Sequence, residues 1–302
     1  MSAARGTLGS AGARAGSQPG RFRALVPLLG VVPFFVFAIA FLIIPGSRLA
    51  VGSFQDNFGN FTTANYEALQ DRVTLSAYQV SIEISLVTAV AGGIFGFLMA
   101  FAVINGGLPR VLRTGITTFS GVASNFAGVP LALAFIFTIG RQGLVTVILR
   151  GFGVDPYAEG FTLYTKIGLE LVYLYFQLPL MILIIAPAID GLKKEWREAS
   201  ENLGATTFQF WRHVGIPVLT PAVLGSVVLL FGNAFGAQAT AYQLTGGFIN
   251  LITISISDRL SGDVLHEPGV GFAMAMGMVV IMAVTLVAYT FLQRRAERWR
   301  RA

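Results

Sequence analysis

Six long apolar stretches dominate the sequence. They run over approximately residues 25–45, 79–104, 116–139, 166–189, 219–244 and 270–292. Each is as long as the roughly 20 residues that a helix needs to cross a hydrocarbon core of about 30 Å. Within that core every backbone amide must be satisfied internally, so an open spanning segment is a helix. The sequence therefore predicts an all-α, polytopic membrane protein with six transmembrane helices.

The chemical groups that the chain lacks limit its function. Only 12% of the residues are charged, against about 25% in soluble domains. There is no cysteine, and His213 and His266 lie far apart, so the sequence has no thiolate site and no metal-ligand spacing. It also lacks the phosphate-binding pattern G-x-x-x-x-G-K-[ST] and a serine elbow. We predict a non-catalytic chain without cofactors, in which any ATP and Mg are bound by another subunit.

Basic residues between the stretches predict the orientation. With the N-terminus inside, the inner segments hold 15 of the 21 basic residues. The outer segments hold only Arg48, Arg72, Arg141, Arg150, Lys166 and Arg259. The positive-inside rule then predicts a multi-pass protein with both termini in the cytoplasm. The first stretch is longer than the apolar region of a signal peptide, so we interpret it as a span.

This order divides the chain into four regions. Residues 1–22 are small and polar and predict a disordered cytoplasmic tail, and residues 294–302 predict a basic cytoplasmic tail. Residues 23–74 hold the first transmembrane helix and an extracytoplasmic loop. Residues 75–293 form a five-helix core that contains an unusually long inner loop, 190–218.

The inner loop has the pattern of two helices joined at a glycine. Helical character extends from Lys193 to Leu203, and Gly204 is a natural helix break. Thr206 or Thr207 is a suitable N-cap for a second short helix. The unit is predicted to lie along the cytoplasmic face of the membrane, where tryptophan side chains are favoured.

The loop also resembles a known family. It contains Glu198-Ala199-Ser200, then Gly204 six residues after the glutamate and Pro217 nineteen after it. Permeases of binding-protein-dependent (type I) ABC importers carry Glu-Ala-Ala, Gly and Pro at these spacings, before the penultimate span. The resemblance covers roughly residues 75–290. It implies a MetI-like permease fold and a coupling helix at about 197–209.

In that family the coupling helix docks on an ATPase. The resemblance therefore assigns ATPase coupling to Arg197, Glu198, Ala199, Ser200, Gly204 and Pro217. It further implies an ATPase subunit dimer, a second permease subunit, an extracytoplasmic solute-binding protein and membrane lipid as partners, and no nucleic acid. The alternative is an amphipathic surface helix that lies on lipid headgroups.

Polar residues within the spans are candidates for a substrate path. Asn233, Gln238 and Tyr242 lie in the fifth stretch, and intramembrane polar groups usually face a bundle interior or a wet cavity. The alternative is that they only join helices. Glu83 and Glu170 lie near the outer ends of their stretches and are also candidates. Lys166 is placed to pair with Glu170 four residues later, whereas Glu83 has no partner of this kind.

The solute is less well defined by the sequence. The segment FTTANYEAL and the run FGNAFGAQATAYQLTGG resemble the spermidine/putrescine and ferric-iron branch of these importers. A polyamine also suits an unpaired Glu83, so we expect polyamine import. Ferric iron, sugars, thiamine and phosphonates remain open, and a secondary transporter driven by an ion gradient is a rival. That rival predicts two related halves, which the sequence does not display.

Overall fold

The computed structural model describes residues 31–158, 160–261 and 266–298, the last four by their backbone alone. Twelve helices and one 3-10 turn, Ala68–Gln70, are found in these ranges, and Gln55 and Phe61 form an isolated β-bridge. The helices are α1 (Val31–Gly52), α2 (Ala64–Glu67), α3 (Arg72–Asn105), α4 (Arg110–Asn125), α5 (Gly128–Ile139), α6 (Leu144–Gly151), α7 (Lys166–Asp190), α8 (Lys194–Asn202), α9 (Thr207–Phe235), α10 (Gln238–Thr245), α11 (Ile252–Ser261) and α12 (Pro268–Arg298).

Six candidate spans occur in the described ranges. They are α1, α3, α5 together with α6, α7, α9 and the part of α12 from Pro268 to Arg294. This confirms the all-α class and the number of spans. The predicted tail 1–22, the first residues of the first predicted span and the end of the predicted basic tail lie outside the described residues. The chain divides into one compact unit up to Arg48 and a second from Leu49 onward. The four predicted regions stay a prediction.

The third span does not have the predicted bounds of 116–139. Residues 116–125 belong to α4, and the chain breaks at Phe126 and Ala127 before α5 begins. Gly128 has a φ of +73°, a left-handed conformation that glycine adopts without steric cost. Pro130 then lies in the first turn of α5, where its missing N–H leaves no intrahelical bond unmade. The candidate span is therefore 128–151, which itself bends between α5 and α6.

The fifth span is also interrupted, although the apolar run predicts one helix over 219–244. Helix α9 ends at Phe235, and α10 begins at Gln238. Helix α10 packs against α5. The Thr240 hydroxyl accepts a hydrogen bond from the Gly128 amide at 2.8 Å and can donate to the Gly128 carbonyl at 3.3 Å. The breaks in the third and fifth spans therefore meet, and each stabilises the other.

Small residues let α3 and α7 approach closely. A Cβ atom added to Gly92 would lie 2.8 Å from Cβ of Gln177, and one added to Gly96 would lie 2.6 Å from Cβ of Met181. Such spacing of glycines allows close helix packing in membranes. Gly232 and Gly236 have the same spacing in the sequence. A Cβ atom added to Gly236, however, would lie near only the Gly232 carbonyl of its own helix.

Buried polar bonds hold this interface. The Gln177 amide nitrogen donates to the Thr88 hydroxyl at 3.1 Å, and Gln177 is fully buried. The Tyr173 hydroxyl donates to the Ala237 carbonyl at 2.5 Å, at the break between α9 and α10. The Ser81 hydroxyl accepts from the Ile252 amide at 2.9 Å. The first bond joins α7 to α3, the second joins α7 to the break in the fifth span, and the third joins α3 to the start of α11.

Candidate functional site

The inner loop contains a short helix closed by a glycine cap. Helix α8 ends at Asn202, and Gly204 has a φ of +77°. The Gly204 amide donates to the Glu201 carbonyl at 2.9 Å, and the Ala205 amide donates to the Ser200 carbonyl at 3.0 Å. This pair of bonds is a Schellman motif, which needs a left-handed residue at the position of Gly204. The predicted helix break at Gly204 is confirmed, with a defined physical cause.

The second helix of the loop is longer than predicted. Thr206, not Thr207, is its N-cap and forms a reciprocal capping box with Gln209. The helix then continues through a π-helical turn, Trp211–Gly215, into the fifth span. The helix predicted over about 197–209 is therefore two helices, α8 and the start of α9. A π-helical turn accepts the extra residue without ending the helix.

The predicted coupling residues differ in exposure. Arg197, Glu198, Ala199 and Gly204 are exposed, whereas Ser200 and Pro217 are half-buried. The Arg197 guanidinium binds the Glu201 carboxylate at 3.0 Å, one turn along the same helix. Among the described helices, α8 lies close only to the start of α9. Helix α8 is therefore an exposed element with its own internal bonds, and Pro217 lies apart from it in the fifth span.

The beginning of the loop is held by a pair that the sequence does not indicate. Arg113 of α4 contacts both carboxylate oxygens of Asp190 at 2.5 Å. Asp190 is the last residue of α7, directly before the loop. Because 77 positions separate the two residues, no local spacing rule could have found the pair. Both side chains are at least one-third exposed, so the pair itself adds little stability.

The neutral path candidates lie around the break in the fifth span. Asn233 is exposed near the end of α9, and Gln238 is the first residue of α10. Tyr242 lies one turn further on the same helix and is 53% exposed. In the part of the chain that the structure describes, none of these three side chains has a hydrogen-bond partner. The break therefore presents hydrogen-bonding groups that are not used by the fold, and their role in a path stays a prediction.

The acidic candidates are brought together, but with a different pairing from the predicted one. Lys166 forms an ion pair with Glu83 of α3, not with Glu170. Glu170 lies near enough to interact electrostatically with both Lys166 and Glu83. The close packing of α3 on α7 explains the difference, because it places a residue from another helix nearer than the local neighbour. Glu83 thus has a compensating charge, which removes the argument that its unpaired carboxylate attracts a cation.

The chain matches one known protein family. The family described as "Binding-protein-dependent transport system inner membrane component" matches residues 92–298. The chain belongs to this family. It is therefore the permease subunit of a binding-protein-dependent ABC importer and a multi-pass component of an inner membrane. The resemblance carried by Glu198, Gly204 and Pro217 correctly indicated the family.

Relatives with named solutes do not support the polyamine prediction. A probable sulfate transport system permease protein of Nephroselmis olivacea is 24% identical over 213 residues, which cover 70% of each chain. A sulfate transport system permease protein of Salmonella typhimurium is 26% identical over 216 residues, covering 70% of this chain and 72% of the relative.

Solved structures agree on the fold. One chain in the crystal structure of a bacterial ABC transporter that imports the acidic polysaccharide alginate superimposes with a TM-score of 0.71. The match covers 91% of this permease and 96% of that chain at 17% identity. A second structure of the alginate transporter, in complex with a periplasmic protein bound to alginate pentasaccharide, gives 0.69. At these identities the likeness establishes the permease fold alone.

Proposed function

We propose that this permease subunit imports a small oxyanion, of which sulfate is the first to test. The names of its relatives support this solute class. The Glu83 charge is compensated by Lys166 and the groups at the span break are neutral, which leaves Glu170 as the acidic candidate that forms no ion pair among the described residues. Amide and hydroxyl donors suit an oxyanion, whereas a polyamine would need unpaired carboxylates. Ferric iron, sugars, thiamine and phosphonates remain alternatives for uptake assays.

We further propose that the loop 190–218 docks on a separate ATPase that binds ATP and Mg. The observation that carries this proposal is the exposed α8, fixed by its Schellman motif and close to no described helix but α9. Small Ala199 and Gly204 allow a partner surface to approach the backbone, and Glu198 is free for charge-assisted hydrogen bonds. An amphipathic helix on lipid headgroups is the competing interpretation.

The proposed mechanism is alternating access. ATP binding closes an ATPase dimer, and the loops of two permease subunits convey the motion to the spans. The path then opens outward to a solute-binding protein, and hydrolysis returns it to the inward state. The second permease subunit is an identical copy or a sibling chain. Both termini lie in the cytoplasm in this arrangement.

A labelling experiment tests the orientation directly. The natural chain contains no cysteine, so a single introduced cysteine reports without background. Leu203 beside Gly204 is 88% exposed, and Phe58 in the segment after α1 is 90% exposed. An impermeant thiol reagent added to intact cells should label Phe58→Cys and not Leu203→Cys. The opposite pattern would place the loop outside and refute ATPase docking.

An uptake experiment tests the solute and the energy source. Cells that depend on this permease should accumulate radioactive sulfate, and excess unlabelled spermidine should not compete. Vanadate should block uptake, while an uncoupler should leave it unchanged. Competition by spermidine would restore the polyamine prediction. Uptake that resists vanadate but collapses with the uncoupler would favour a secondary transporter.

A further inference from the structure

Trp211, in the second half of the loop 190–218, packs against the helix bundle. Its indole contacts the ring of Phe101 on α3 edge to face, with 5.1 Å between centroids and 77° between planes. It contacts the ring of Phe210 in the same way at 5.7 Å, and Phe210 is buried. Edge-to-face pairs are stabilising beyond the area that they bury. Trp211 therefore joins the second half of the loop 190–218 to the C-terminal part of α3.

The π-helical turn places a glycine under the indole. The Ile216 amide donates to the Trp211 carbonyl, which closes a turn one residue longer than an α-helical one. A Cβ atom on Gly215 would lie 2.7 Å from Cζ3 of Trp211, too close for any real side chain. The indole thus lies directly against the Gly215 backbone. A turn of this type often marks a functional site in a helix.

The other link between the loop and the bundle is weaker. The ion pair of Arg113 with Asp190 holds the end of α7, but both side chains are partly exposed to solvent. Exposed ion pairs contribute little, because solvent screens them. Helix α8 itself lies close to no described helix except α9. The start of α9 follows α8 directly along the chain, and the packed ring of Trp211 is its aromatic contact with α3.

We propose that Trp211, held on Gly215 and against Phe101, is a positioning residue that transmits movement of the loop from the start of α9 to α3. The inference rests on the proposed function, in which an ATPase binds the loop. Without the indole, the loop can still bind the ATPase and move the start of α9, but α3 no longer follows that movement. ATP is then hydrolysed without opening of the path.

The test uses the complex purified with its ATPase, and the reporter is Tyr242→Cys in the otherwise cysteine-free chain. The rate at which an impermeant thiol reagent labels this cysteine is compared with and without ATP and vanadate. The reference should show a vanadate-dependent change in rate. Adding Trp211→Ala should reduce that change at least about fivefold while ATP hydrolysis continues. Trp211→Phe should retain most of the vanadate-dependent change in labelling rate. Gly215→Ala should reduce that change less than Trp211→Ala does, because its new Cβ displaces the indole.

A matched control separates coupling from general loosening. Phe135 on α5 contacts the Tyr175 ring edge to face at 5.7 Å, away from the loop. Phe135→Ala removes a contact of the same kind and should leave the vanadate-dependent change intact. An undiminished change in Trp211→Ala, or an equal loss in Phe135→Ala, would overturn the inference. If the reference complex retains no ATPase or shows no change, the proposed function itself is refuted, and the inference with it.

Discussion

Valine in place of Gly204 tests whether the glycine cap of α8 serves the transport cycle. Gly204 has a φ of +77°, and no atom lies within 4 Å of the position where a Cβ would be placed. Substitution therefore causes no clash, and its cost is that of a left-handed backbone. That cost is roughly 1–2 kcal/mol for a residue with a Cβ and is highest for β-branched residues.

The size of the expected uptake defect in Gly204→Val follows from this backbone strain. A cost of about 1–2 kcal/mol lowers the ratio of closed to open Schellman motif by about 5- to 30-fold. The last turn of α8 then opens more often, so we expect uptake to fall, by at most that factor. Membrane insertion should be unchanged, because Gly204 lies outside the spans. Gly204→Asn should keep most of the uptake, since asparagine visits the left-handed region more readily.

A second glycine provides the control. Gly107, between α3 and α4, has a φ of +71° and equally open surroundings. Gly107→Val imposes the same local strain outside the loop 190–218. Sulfate uptake and recovery of the ATPase are measured per amount of inserted chain for both variants. Normal uptake and ATPase recovery in Gly204→Val would show that the cap is not needed for docking. An equal defect in Gly107→Val would show that the effect is not specific to the loop.

Two further substitutions test the packing and the charges. Gly96→Ala should destabilise the chain by about 1–3 kcal/mol against unfolding in sodium dodecyl sulfate, because its Cβ would lie 2.6 Å from that of Met181. As a control, the Cβ atom of Gly121→Ala on α4 would have no contact within 4 Å, so this variant should not destabilise the chain. Equal stability of the two variants would contradict the tight interface between α3 and α7. Glu83→Gln removes the ion pair with Lys166 while nearly keeping the size and shape of the side chain. Sulfate uptake should persist in Glu83→Gln, whereas a loss of uptake would point to a cationic solute.

Sequence alone could predict what depends on length and local pattern. The number of spans follows from apolar length, and the break at Gly204 follows from glycine in a helical pattern with a capping threonine behind it. The interruption at Gly128 was not predicted, because the apolar run continues across it. Its conformation is stabilised by the Thr240 hydroxyl, 112 residues further along the chain. The pairing of Lys166 with Glu83 was missed for the same reason: the rule of four residues is local, and the observed partner is on another helix.

The interruption of the fifth span explains why the charge of the solute is hard to predict from this chain. Where α9 stops and α10 starts, the backbone cannot form a complete helical ladder, and the Tyr173 hydroxyl supplies one missing bond by donating to the Ala237 carbonyl. Asn233 and Gln238 lie on either side of that break with neutral side chains that the described fold does not use. On the proposed path a passing solute would meet amides and hydroxyls, which bind anions and polar neutral molecules alike. Discrimination by such groups is weak, so the solute-binding protein must choose the cargo, and exchanging that protein should change the imported solute while the permease stays the same.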